Sequence, residues 1–316
     1  MAYSIRNISA IKVIALAVSV FSSIAILPLN ASDYTVESKE SFFDAGQSGI
    51  QFNESFEKRR KDGFKIVDHE NYRVGRTPRT STVWTKRDKK AQWAFEDGMS
   101  IATLKKSHEA NRKKGFVITE IEAVRNGMSL EFSAVWEKGE EQPNTIFYWG
   151  MDRLLFSNRY GEMADRGYRI VDFEAYEANG QILAAAIWIP KDGAEVRFFR
   201  GLDEEKYSTL SVKMEKMGYR INDFESYIYE DELLFAASWE LMGSGEESKY
   251  DFNLLADAFY ERNAELLAEG YRLVDFETYN KSVSELRYAG SWVKFTAPED
   301  SSEEKDSFLD TFRQPK

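Results

Sequence analysis

The sequence contains no cysteine, only two histidines and only six prolines in 316 residues. Lack of cysteine excludes a disulfide framework, a thiolate metal site, a catalytic thiol and the cysteine of a lipoprotein anchor. The scarcity of proline, beside 43% apolar and 14% aromatic residues, excludes a disordered chain over most of the length. Positive charge is in deficit, 42 Lys+Arg against 53 Asp+Glu, which argues against nucleic-acid binding by the molecule as a whole. Long apolar runs are also missing, apart from residues 13–27, which follow Arg6 and Lys12 and stop at Pro28 ahead of Ala31. That run is short of the ~20 residues of a membrane-spanning helix, so residues 1–31 read as a secretory signal peptide. The expectation is an exported protein, periplasmic or secreted, with no transmembrane segment in the mature chain and a net charge of -13 once Arg6 and Lys12 are removed.

What the chain does have is a repeat. Gly63-Phe64-Lys65-Ile66-Val67-Asp68-His69-Glu70 returns in altered form from Gly115, Gly167, Gly218 and Gly270, at spacings of 52, 52, 51 and 52 residues. A tryptophan follows each glycine by 21 or 22 positions: Trp84, Trp136, Trp188, Trp239 and Trp292. Seventeen residues before each glycine stands a second marker, Gly46, Gly98, Gly150, Gly201 or Asn253. Two residues past the first four markers come Ser48, Ser100, Asp152 and Asp203, side chains that cap helix N-termini; the fifth unit has Leu255 instead. Each unit therefore predicts a helix ending near the later glycine, then two strands and a shorter third.

The fold class expected is α+β. Five tandem repeats of about 52 residues (46–97, 98–149, 150–200, 201–252 and 253–297) stack into one array, with residues 32–45 as a leading segment and 298–316 as an acidic tail.

The Gly-Tyr-Arg-Leu-Val-Asp stretch at 270–275, Tyr288-Ala289-Gly290-Ser291-Trp292 and the Gly201-Leu202-Asp203 helix start resemble the bacterial tandem repeat domain. That repeat is also found as the non-catalytic N-terminal part of polyglycine-hydrolase-like proteins, where a serine-hydrolase domain follows. The resemblance covers nearly all of the chain after residue 31. It implies a helix-plus-sheet module with a tryptophan ladder, and it lends nothing to a catalytic role.

Candidate chemistry is sparse. Ser-x-x-Lys occurs at Ser9, Ser55, Ser291 and Ser302, in contexts that do not suit the nucleophile of a penicillin-recognising enzyme. His69 replaces Ile121, Phe173, Phe224 and Phe276 of the other units, and so reads as a half-buried packing residue; neither it nor His108 recommends a catalytic triad. No catalytic residue, metal ligand or cofactor is assigned. Each unit carries an acidic pair two residues apart: Asp68 and Glu70, Glu120 and Glu122, Asp172 and Glu174, Asp223 and Glu225, Asp275 and Glu277. In a strand such a pair shares one face, expected here to be solvated or ion-paired with Lys65, Arg169, Arg220 and Arg272, the alternative being a repeated calcium site.

The five repeated tryptophans read as a core ladder. Trp93 and Trp149 occupy positions of variable character and are the better platforms for a ligand. Charge is uneven: residues 57–114 carry a net +9 and residues 115–316 a net -18. Arg59, Arg60, Arg76, Arg79, Lys89 and Lys90, with Trp93 and Trp149, form the candidate binding set. The expected function is an exported, non-enzymatic repeat module that binds an envelope glycan or another anionic surface polymer. The alternatives are a structural or partner-docking protein working through end-to-end self-association, and a hydrolase with an unrecognised site.

Overall fold

The computed structural model describes residues 35–37, 41–87, 90–139, 143–282 and 285–295. The expected signal peptide and acidic tail lie outside the described residues, as does Lys89.

The first unit runs β1 (Thr35–Glu37), β2 (Ser41–Gln47), α1 (Gly49–Lys61), β3 (Phe64–Val74) and β4 (Thr77–Lys86). The second has β5 (Gln92–Met99), α2 (Ile101–Lys113), β6 (Val117–Asn126) and β7 (Ser129–Lys138), and the third β8 (Ile146–Met151), α3 (Arg153–Asp165), β9 (Tyr168–Ala178) and β10 (Gln181–Pro190). The fourth has β11 (Val196–Leu202), α4 (Glu204–Lys216), β12 (Tyr219–Tyr229) and β13 (Glu232–Leu241), and the fifth β14 (Glu246–Leu254), α5 (Ala256–Ala268), β15 (Arg272–Ser282) and β16 (Glu285–Phe295). The fold is mixed α+β, five tandem repeats of a helix and a strand meander, as the sequence leads one to expect.

Each helix begins where its cap dictates. Ser48 takes the amide of Gln51 and returns its own amide to the Gln51 side chain, a complete capping box. Ser100, Asp152 and Asp203 accept from Thr103, Leu155 and Lys206, whereas Leu255 makes no side-chain cap. The marker before each cap sits at a register shift between outer and middle strand, with φ of +59° to +71° at Gly46, Gly98, Gly150 and Gly201. In the fifth unit Asn253 holds φ +62°, the left-handed region that asparagine tolerates best after glycine.

The pairing of the third strand differs from a simple meander. Residues 196–202 do not join the sheet of the hairpin before them; β11 pairs with β13, so the sheet order is β11-β13-β12, and every sheet repeats this arrangement. The strand ahead of each helix is thus the outer strand of that helix's own sheet, and the leading segment supplies β2 to the first. Its short neighbour β1 makes that sheet four-stranded.

The array closes on itself. The inner strands β3, β6, β9, β12 and β15 lie side by side in that order, and β15 also lies against β3. Each helix is held between its own sheet and the next one, so the apolar clusters straddle neighbouring units. Phe156, Met163 and Trp188 of the third unit pack with Ala236 and Phe198 of the fourth. At the seam, Phe259, Phe276 and Trp292 of the fifth unit pack with Phe43, Ala45 and Val83 of the first. No helix among the described residues is long and apolar enough to cross a membrane.

Candidate functional site

The acidic pairs do not form a solvated face; they line the axis of the ring. The cause is a bulge in every inner strand. Pairing with the middle strand skips one residue between Ile66 and Asp68, and likewise between Ile118 and Glu120, Ile170 and Asp172, Ile221 and Asp223, and Leu273 and Asp275. The extra residue reverses the alternation. Ile66 and His69 therefore both point at the helix, while Asp68 and Glu70 point the other way, into the channel shared with the neighbouring inner strands.

An inner strand has no partner on its channel side, so its outward amides need acceptors. The next unit's carboxylates provide them. Glu122 accepts from the amide of Asn71 at 3.3 Å, Asp172 from Ile121 at 3.1 Å, Glu225 from Ala175 at 3.4 Å and Glu277 from Ser226 at 3.2 Å. Asp223 accepts from Phe173, Asp275 from Phe224 and Asp68 from Phe276, the last of these closing the ring.

Burial, and after it the closeness of so many carboxyl groups, favours their protonated forms. Burial pushes Asp68 up to about 8 and Glu277 up to about 7. The other eight are raised well above the carboxylate range, by burial first. Glu122 bonds to Glu174 and Glu70 to Glu277, contacts that need a proton between the two groups. The space between them is about 90 Å³. Among the described residues no three acidic or histidine side chains converge as metal ligands.

Three of the basic residues expected to neutralise these pairs turn elsewhere. Lys65 bonds Glu137 at 2.6 Å, Arg169 and Arg220 share Glu240, and Arg220 also reaches Glu246 at 2.7 Å.

The five ladder tryptophans, Trp84, Trp136, Trp188, Trp239 and Trp292, are all buried between helix and sheet, which removes them as sugar platforms. The variable position facing them has a use. Trp292 donates to Asn263 at 2.8 Å and Trp136 to Nδ1 of His108 at 3.4 Å, while the indole N–H groups of Trp84 and Trp188 find no partner. His108 accepts here in its neutral form, and burial, followed by Arg112, holds its pKa low. His69 is fully rather than half buried, lying edge-on to Phe95 and near Asn71 and Thr82; burial lowers its pKa to about 4. The Ser-x-x-Lys serines are equally committed: Ser55 donates to Gln47 and the carbonyl of Phe52, and Ser291 donates to the carbonyl of Ile221. Ser9 and Ser302 lie outside the described residues.

The candidate binding residues do not come together as one site. Arg59 is no ligand contact: it is buried, paired through two nitrogens with Asp44 at 2.8 and 3.1 Å, and its guanidinium lies 3.6 Å from the Phe42 ring centroid. Sequence reasoning missed this because Asp44 lies in the leading segment, outside the repeat frame. Arg76 and Arg79 sit at the β3–β4 hairpin, at the far end of an eleven-residue strand from Arg60, a separation of ~33 Å at the usual rise per residue. Lys90 is exposed. Trp149 is half-buried against Phe147 and His108, at ring separations of 5.1 and 6.1 Å.

Two of the set do meet. Arg60 and Trp93, with Arg87, Gln92 and Phe116, wall a shallow cavity of about 390 Å³ where the first and second units adjoin, at the ring face formed by the helix C-termini. Trp93 is half-buried, its inner edge held by Phe56 and Trp84. Arg87 donates to the carbonyl of Ala91, and neither it nor Arg60 pairs with a carboxylate among the described residues. Lys138 stands close by, its ammonium 5.8 Å from the Phe116 ring centroid. Part of the basic run has a structural role as well, since Lys58, Arg59, Arg60 and Lys61 occupy the last turn of α1, where positive charge complements the helix dipole.

A comparison with curated proteins finds no match. A comparison with protein-family models gives five successive matches, at residues 43–87, 90–139, 143–190, 193–241 and 249–295, each spanning an outer strand, a helix and the hairpin that completes the sheet. With five units following that pattern over most of its length, the chain belongs to the polyglycine hydrolase-like structural repeat family.

Proposed function

We propose that this chain is a non-catalytic binding ring of an exported compartment that holds an anionic or glycan-rich envelope component. The observation that carries the reading is the cleft of Arg60, Arg87, Trp93 and Phe116: two guanidinium groups with no acidic partner among the described residues, beside two aromatic rings. Sugars stack on aromatic faces, and carboxylates or phosphates pair with guanidinium forks, so this combination suits an acidic polysaccharide. The net +9 of residues 57–114 would steer such a polymer toward this sector of an otherwise acidic molecule.

The test is titration with polygalacturonate followed by tryptophan fluorescence. Saturable binding is expected, weakening as salt is raised and lost in the double variant Arg60→Glu/Arg87→Glu but kept in Arg76→Glu/Arg79→Glu. Equal loss in both variants, or indifference to salt, would reject the cleft.

One observation favours a second reading, docking of a protein partner. The opposite ring face, made of helix N-termini and hairpin tips, presents exposed Ile50, Leu154, Met128 and Ile228. Concentration-dependent light scattering of the chain alone that Met128→Asp abolishes would support it, with a second copy of this chain as the partner.

A further inference from the structure

At each junction between units the start of one helix faces the outer strand of the next sheet, and one residue of that strand, just ahead of the left-handed marker, is placed to fill the space. Trp149 does so between the second and third units and Phe252 between the fourth and fifth, each joining an apolar cluster. Between the third and fourth units the same position is Arg200, and the space is not filled.

A cavity of about 370 Å³ remains there, within the range of small-molecule sites. Its apolar wall includes Phe173, Ile182, Leu183 and Leu234, and its polar end includes Arg200, Arg153 and Tyr227. Arg200 is half-buried with its guanidinium 4.6 Å from the Phe156 ring centroid, and one of its terminal nitrogens donates to the carbonyl of Arg153 at 3.0 Å and to Ser157 Oγ at 2.9 Å. Neither Arg200 nor Arg153 has a carboxylate partner among the described residues. The one acidic side chain in the lining, Asp152, is occupied in capping α3. The Tyr227 hydroxyl accepts from the Gly201 amide at 2.9 Å, which leaves its own hydrogen available to an acceptor.

An arginine held by neutral acceptors, at the mouth of an apolar cavity, lacks only its anion. We propose that this junction binds a small amphipathic carboxylate, its charge taken by Arg200 with Tyr227 and its aliphatic or aromatic body laid against Phe173, Ile182, Leu183 and Leu234. The site is separate from the cleft of Arg60 and Trp93, and it does not depend on the reading given to that cleft.

Calorimetric titration of the full chain with octanoate, phenylacetate, 1-octanol and octylamine tests it. At least one of the two carboxylates is expected to bind saturably, with 1-octanol and octylamine weaker by about tenfold or more, as the loss of a charge-assisted hydrogen bond implies. Arg200→Gln should weaken the carboxylate by a similar factor while leaving the thermal midpoint near that of the parent. Leu234→Trp, which fills the apolar end, should abolish binding in a chain that still melts cooperatively. The double variant Arg60→Glu/Arg87→Glu should bind as the parent does. No saturable binding of either carboxylate at millimolar concentration, 1-octanol binding as tightly as octanoate, or an Arg200→Gln variant with unchanged affinity would each overturn the proposal.

Discussion

The inner strands and the outer junctions of this ring use the repeat in opposite ways. Along the axis all five units contribute the same two acidic positions and the same bulge, and the result is a structural seal in which one unit's carboxyl groups hold the preceding unit's free strand edge. At the junctions the equivalent residue is alanine, aspartate, tryptophan, arginine or phenylalanine, and two of these junctions hold cavities whose arginines have no carboxylate partner among the described residues. Regularity serves closure, and departures from it mark the places where a ligand can be held.

The comparison can be pressed hardest through pH. A carboxyl group whose folded pKa lies above its unfolded value binds more protons folded than unfolded, so stability is full below about pH 4 and falls as pH rises through the folded value. For Asp68 and Glu277 the loss runs up to about 8 and about 7. Urea midpoints should therefore be markedly lower at pH 8 than at pH 5, and Glu277→Gln, which keeps an acceptor for Ser226 without the buried charge, should flatten the dependence. A midpoint that rises from pH 5 to pH 8 would mean the axis holds its charge by other means.

A smaller effect is expected from the layer between axis and junction. A Cβ on Gly290 would stand 2.7 Å from the Trp292 ring and 2.8 Å from Phe259, so Gly290→Ala should cost about 1–3 kcal/mol in chemical denaturation. The equivalent Thr82, Ala134, Ala186 and Ala237 show that the other four units leave room for that methyl or more. The smallest change concerns an irregular position with no ligand role. Leu255→Ser supplies the missing cap of α5 and should raise stability by about 0.5–1 kcal/mol, a gain measurable as a shift of the urea midpoint.

Much of this architecture could be read from the chain alone, because caps and left-handed glycines act locally. Ser48, Ser100, Asp152 and Asp203 announced four helix starts, and the 52-residue frame located the fifth despite Leu255. The axis is not legible in the sequence, for a physical reason. Simple alternation puts Asp68 on the same side as Ile66, and nothing local to Val67 signals the bulge that separates them. The faint cue was the fivefold recurrence of the pair itself, since a merely solvated face has no need to repeat its chemistry. Arg59 was lost among its basic neighbours, its partner Asp44 lying outside the frame. Arg200 was visible as the odd member of an aligned set beside Trp149, but a sequence does not show that an unfilled space comes with it.

The seam between first and last units has a consequence for how the molecule is made. Phe43 rests on Phe259 and Phe276, more than two hundred residues further along the chain. A polypeptide emerging from its amino end must keep that phenylalanine waiting, wet and unpartnered, until synthesis is nearly finished. Such distant partners make for slow maturation. A product cut short by even its final unit would carry a permanently uncovered greasy flank, an invitation to aggregation that quality-control proteases could recognise.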